Sequence, residues 1–115
     1  MTTQLRLCAV AFLVLLTASS ALAQAPQLRT VRGVVMDKSD SLVVSAVVFL
    51  KNTRTNAVRS YITDEQGNYR FSGLDPNVDY EIHAEKDDAK SATRTVSSFD
   101  NKKDIVINLK MDKKK

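Results

Sequence analysis

The chain has one histidine, His83, which stands between Glu81 and Glu85. Alternate residues of a strand point to one side, so the three side chains would share a face. A Glu-His-Glu trio has the donor types of a divalent-cation site, but it lacks a fourth placed ligand and reads more simply as a solvated strand face. Asp64, Glu65, Asp75 and Asp79 offer the oxygen ligands that calcium prefers. Their spacing lacks the bidentate pattern of a dedicated calcium loop, and Asp64 is explained by a turn. General acid–base catalysis by a carboxylate pair needs two acids in one cleft with pKa values driven apart, whereas the acids here are scattered through loops and outward positions. A Ser-His-Asp site would have to recruit His83, and no glycine-rich elbow precedes any serine. The expectation is a chain with no catalytic residue, no metal and no cofactor.

The only cysteine, Cys8, lies in a segment with its own logic. Met1 to Ala23 reads as a cleavable export signal: a short leader with Arg6, ten apolar residues from Leu7 to Leu16, and the A-x-A pattern Ala21-Leu22-Ala23. A bilayer-spanning helix takes about 20 apolar residues, so this run is too short to cross. Cutting after Ala25 would place Pro26 just past the scissile bond. A lipidated cysteine sits at the cleavage point, and Cys8 lies well before it, so Cys8 is an apolar signal residue. Cleavage would leave one domain of about 90 residues, without a transmembrane segment, a disulfide or a thiolate metal site. The formal charge of the whole chain is +4. Once the signal is removed, the run Lys113, Lys114, Lys115 equals the remaining excess, and a near-neutral body disfavours nucleic acid. Three lysines would give only weak, salt-sensitive contact with anionic envelope polymers or lipid heads. The expected location is periplasmic or secreted, in a bacterium.

What must position any site is a set of strands, because apolar residues recur with period two and turn residues follow at short intervals. Strands are expected at Thr30 to Met36, Val43 to Asn52, Val58 to Thr63, Asn68 to Phe71, Tyr80 to Glu85, Ser91 to Val96 and Asp104 to Met111. The second carries apolar residues on both faces, like a central strand. Asp64-Glu65-Gln66-Gly67 makes the tightest turn, and Asn77 is expected in the left-handed conformation. Seven short strands without a helix predict an all-β sandwich or small barrel. The bounds are an export signal at 1–23, a flexible segment at 24–29, a sandwich at 30–111 and a basic tail at 112–115, with both flanks mobile.

Thr63-Asp64-Glu65-Gln66-Gly67-Asn68-Tyr69-Arg70-Phe71-Ser72-Gly73-Leu74, followed by Tyr80, resembles the T-D-x-x-G-x-Y-x-F-x-x-L…Y signature of carboxypeptidase regulatory-like domains. Val31-Arg32-Gly33-Val34-Val35-Met36-Asp37 is similar to their opening V-x-G-x-V-x-D, and Ala46 to Leu50 to their second strand. The resemblance implies a seven-stranded, transthyretin-like (prealbumin-like) Greek-key β-sandwich. It also implies a non-catalytic module, of the kind found beside exported peptidases, at the front of outer-membrane transporters, or alone in envelope proteins. Asp64, Gly67, Tyr69, Phe71, Leu74 and Tyr80 would then be turn and core residues. Asp40, Leu42 and Ser45 stand where the family usually has Gly, Pro and Gly. Hydrolysis of the hydroxyisourate type, known in transthyretin-like enzymes, would need several histidines and a closing Tyr-Arg-Gly-Ser motif, both absent. A Lys-Asn isopeptide of the pilin-adhesin type fits poorly, because Asn108 faces away from Ile107 and Leu109.

Two binding modes are left. Protein binding would use a sheet edge, with Ser91 to Val96 the candidate and Thr93 and Thr95 its outward residues. Sugar binding would use exposed rings, for which Tyr61 and Phe99 are the candidates, since there is no Trp and Tyr69 and Tyr80 look internal. The expected partner is an envelope protein or, as the alternative, a polysaccharide.

Overall fold

The computed structural model describes residues 27–115. The expected export signal, Cys8 and residues 24–26 lie outside the described residues. Ten strands are formed: β1 (Arg29–Asp37), β2 (Val47–Asn52), β3 (Val58–Ile62), β4 (Asn68–Leu74), β5 (Tyr80–Lys86), β6 (Ala89–Lys90), β7 (Arg94–Val96), β8 (Asp104–Val106), β9 (Leu109–Met111) and β10 (Lys113–Lys114). They build two facing sheets. In the first, β1 lies between β4, which is antiparallel to it, and the parallel pieces β8 and β9. The second runs β3-β2-β5-β6-β10, with β7 also on the far side of β5.

The alternation read from the sequence decides what lies between the sheets. Val31 and Val35 of β1, Val48 and Leu50 of β2, Tyr69 and Phe71 of β4, and Ile82 and Ala84 of β5 are buried, joined by Val96, Ile105, Ile107, Leu109 and Met111. Each large side chain removed from water contributes about 1.5–3 kcal/mol, and with no disulfide available this burial carries the fold. Val47 and Phe49, on the other face of β2, are only half-buried.

The expected seven strands become ten because the last is divided in two and because β6 and β10 form where no strand was expected, while side-chain bonds shorten two of the others. Ser91 is buried; its hydroxyl accepts the Ala84 N–H at 2.8 Å and donates to the Ala92 carbonyl at 3.1 Å. This separates β6 from β7, so the expected strand Ser91 to Val96 is reduced to Arg94–Val96. Residues 43–46, apolar except for Ser45, lie outside β2, because the buried Thr63 hydroxyl accepts the Ala46 N–H at 2.9 Å and donates to the Val43 carbonyl at 2.8 Å. That loop is held by Asp40 (φ 64°) and Ser45 (φ 59°), which adopt the left-handed conformation glycine favours. Asn77 does not adopt it; its N–H donates to Asp75 Oδ1 at 2.9 Å in an Asx turn.

The strand expected over Asp104 to Met111 is divided at Ile107 and Asn108, although its register on β1 is the same on both sides, with Arg32 opposite Val106 and Val35 opposite Leu109. The Ile107 carbonyl leaves the ladder and accepts the hydrogen of the buried Tyr69 hydroxyl. The Val34 N–H it would have taken donates instead to Asn108 Oδ1 at 3.1 Å. The displaced carbonyl passes so close to β1 that a Cβ on Gly33 would lie 1.9 Å from its oxygen.

Residues described in each flank are paired where mobility was expected. Arg29, assigned to the flexible segment, opens β1 and is buried, its guanidinium donating to the Lys102 carbonyl at 3.0 Å and the Ser97 carbonyl at 2.8 Å. In the expected free tail, Lys113 and Lys114 pair with β6, and the Lys115 N–H reaches the Asp88 carbonyl at 2.9 Å.

Candidate functional site

The residues of the sequence signature are placed by packing and by a turn. Asp64 Oδ1 accepts the N–H groups of Gln66 and Asn68 at 3.0 and 2.9 Å, and the Asn68 bond chiefly holds its carboxyl below the ordinary range. Gly67, at φ 72°, receives the Val35 N–H on its carbonyl at 2.9 Å, and a Cβ there would sit 2.9 Å from the Val35 carbonyl oxygen. Phe71 and Leu74 are core, and the Tyr80 hydroxyl accepts the Asp75 N–H at 3.0 Å. Burial pushes the Tyr69 hydroxyl well above its ordinary pKa, so it is a donor at any physiological pH. These groups serve the fold itself.

On the outer face of the second sheet, His83 stacks on Phe49 with centroids 5.2 Å apart, and its Nε2 lies 3.1 Å from Glu85 Oε2. The histidine bond is the main cause of a lowered Glu85 pKa. Among the described residues, no three His, Cys, Asp or Glu side chains converge as a metal site would require. Thr93 lines an open recess of about 280 Å³ beside His83, Glu85, Lys90 and Lys113. Thr93 and Thr95 are exposed, on and beside a three-residue edge.

The other edge of this sheet is built differently. Every residue of β3 is exposed. Asn52 donates to the Ala57 carbonyl and Thr63 to the Ala46 carbonyl, so the bonded pairs alternate along the β2–β3 ladder from both ends. By that alternation Val58, Ser60 and Ile62 turn their N–H and C=O groups away from β2, toward solvent. Their side chains lie on the outer face, with Val58 58 % and Ile62 65 % exposed. Arg59 and Tyr61 point the other way, over the open flank of the sandwich. Tyr61 meets Phe71 edge-on at 6.1 Å, and the Arg59 guanidinium lies 5.5 Å from the Phe71 centroid while Nη1 donates to the Ser72 carbonyl at 3.0 Å. Phe99 is 91 % exposed in the loop between β7 and β8, and no ring contact joins it to Tyr61.

Sequence reasoning singled out Tyr61 as a ring and expected the strand that carries it, but took Ser91 to Val96 as the binding edge. The sequence showed Val58 and Ile62 as apolar residues of one strand phase, and the position of β3 at the end of its sheet shows that phase to be outward.

The family model described as "Carboxypeptidase regulatory-like domain" matches residues 30–112. No curated protein matches by sequence. Among solved structures, the chain is similar to catechol 1,2-dioxygenase from Acinetobacter sp. ADP1 (TM-score 0.58, 13 % identity, 77 % of this chain and 54 % of that one). It is also similar to BcpA, the major pilin subunit of Bacillus cereus (TM-score 0.58, 14 % identity, 76 % and 30 %). A third similarity is to the C-terminal domain of the shaft pilin SpaA from Lactobacillus rhamnosus GG (TM-score 0.51, 13 % identity, 75 % and 99 %). The chain spans about half of the dioxygenase and under a third of BcpA. At these identities the likeness is one of fold.

Proposed function

The chain belongs to the carboxypeptidase regulatory-like domain family, and from that premise we propose that it is a non-catalytic interaction module of the bacterial envelope or its exterior, binding through a sheet edge. The observation that carries this reading is β3: five consecutive exposed residues, three of them with main-chain donors and acceptors turned away from β2, and two large aliphatic side chains in water. Unpaired edge groups recruit further strands, and apolar pockets or side chains alongside select which one. The titratable groups support a binding role over a catalytic one, since His83, Glu85, Asp64 and Asp79 are each engaged in local bonds that fix a loop or strand.

Export to the envelope rests on the A-x-A-terminated apolar leader. Among the described residues, no helix is long and apolar enough to cross a membrane. Crosslinking in the producing cell, followed by capture of the tagged chain, tests the role: one protein recovered in near-equal amount, and lost with Ile62→Lys, is the expected result. Recovery of polysaccharide alone would replace this reading with the carbohydrate-binding alternative. That alternative rests on the exposure of Phe99, and Tyr61→Ala with Phe99→Ala would then abolish polysaccharide retention without unfolding the chain.

A further inference from the structure

We infer that β3 pairs with β3 of a second copy of this chain, antiparallel and in one register, with Ser60 opposite Ser60 of the copy. This deepens the interaction role proposed above by naming one partner.

The inference comes from the order of side chains in Val58-Arg59-Ser60-Tyr61-Ile62. A two-fold antiparallel pairing must join residues whose main-chain groups point outward, and these are Val58, Ser60 and Ile62. Centred on Ser60, it sets Val58 against Ile62 of the copy, and Ile62 against its Val58, on the outer face. On the other face Arg59 meets Tyr61 of the copy, and Tyr61 meets its Arg59. Each apolar side chain therefore finds an apolar one, and the strand's only charge finds an aromatic ring, which attracts a guanidinium. The neighbouring registers that keep the same main-chain groups paired lack this match. Slipping two residues one way sets Arg59 directly against Arg59, a destabilising like-charge pair. Slipping the other way sets Tyr61 against Tyr61 and Ile62 against Ser60.

A strand that must avoid its own kind usually carries a lysine, a proline, a bulge or an inward-pointing charge. β3 has no lysine or proline, its pairing with β2 runs without a register shift from Val58 to Ile62, and its one charge, Arg59, is engaged by Phe71 and the Ser72 carbonyl of its own chain. Beyond the strand itself, Val47 lies opposite Ile62 in β2 and Phe49 opposite Ser60, both half-buried. Joining two copies would continue this apolar strip across the two-fold axis. The far edge of the same sheet is unsuited to such pairing, because it ends in Lys113 and Lys114.

Sedimentation equilibrium of the chain, purified as its producing cell processes it and taken from about 10 to about 500 µM, tests the pairing. The expected result is a reversible monomer–dimer equilibrium, weaker by about tenfold or more in Ile62→Lys and unchanged in Thr95→Lys on the β7 edge, all three with the same circular dichroism spectrum. Tyr61→Glu tests the register. With Ser60 on the axis, the substitution places the new carboxylate of one copy against Arg59 of the other and tightens association in low salt; in the slipped register with Tyr61 opposite itself, two carboxylates would oppose each other and loosen it. A wild-type chain that stays monomeric throughout, a dimer indifferent to Ile62→Lys, or a dimer loosened by Tyr61→Glu would overturn the proposal. Recovery of no other protein in the crosslinking experiment, with the dimer intact, would count against the envelope role alone.

Discussion

Two regions of this sandwich meet at the turn Asp64–Gly67 and are built on opposite terms. Along β1, β4, β8 and β9 the chain is closed: Tyr69 takes the Ile107 carbonyl, Asn108 takes the Val34 N–H left behind, and Gly33 leaves the room both require. Each residue type there is demanded by its neighbours. Along β3 less is demanded: Arg59 and Tyr61 rest on Phe71, while Val58, Ser60 and Ile62 face water and turn their main-chain groups away from β2. Residues that the fold requires explain the family signature without explaining any function. Those that the fold does not require, and that still place aliphatic side chains in water at a cost, are where a function is written.

The contrast breaks if the closed seam tolerates change or if the open edge does not. Gly33→Ala is expected to have the largest effect, because its Cβ would overlap a backbone oxygen that cannot swing aside as a side chain would. A loss on the order of 4 kcal/mol or more in urea unfolding, or failure to fold, is expected. Tyr69→Phe leaves the Ile107 carbonyl unsatisfied in the core and is expected to cost about 1–3 kcal/mol, read as a lower urea midpoint with unchanged slope. Ile62→Lys, on the open edge, is expected to change monomer stability by no more than about 0.5 kcal/mol. A cost there matching that of Tyr69→Phe would make β3 a structural strand and remove the contrast.

How much of this was legible in the sequence follows from the same division. Strand existence and the core face were readable from the alternation Val31-Gly33-Val35, Tyr69-Phe71 and Tyr80-Ile82-Ala84, because burial on one face writes itself as period two. The ladder breaks were not readable, because the buried Ser91 and Thr63 act by hydroxyl bonds to main chain far along the sequence, which no local pattern records. The tail Lys113–Lys114 looked free because lysines read as solvated, yet the main chain pairs whatever the side chain carries. Position 33 could be read as a strand glycine, but only the fold supplies its reason, since the atom it makes room for belongs to Ile107. The candidate site was half-visible. Tyr61 drew notice as an aromatic, whereas the outward phase of Val58 and Ile62 could be assigned only once β3 was known to end its sheet.

The smallest expected effect sharpens the joint between the two regions. Asp64 caps the turn that carries the chain from β3 into β4, and bonds from the Asn68 and Gln66 N–H groups favour its charged form, so its folded pKa lies below the ordinary value. A carboxyl held low in the folded state contributes stability that is complete above its unfolded pKa, about 3.9 for Asp, and is lost as pH falls through the lower folded value. Asp79, held low chiefly by the Ser98 N–H, and Glu85, held low chiefly by His83, act in the same direction. The urea midpoint is therefore expected to be level from pH 7 to about pH 5 and to fall below about pH 4. Because Asp64 is exposed and Asp79 and Glu85 are only part-buried, the fall is shallow. In Asp64→Asn the midpoint at neutral pH is lower and the acid fall shallower still, because one of the three linked protons is gone. An acid fall as steep as in the wild type would mean that the turn joining the closed seam to the open edge is held by its glycine and its backbone alone.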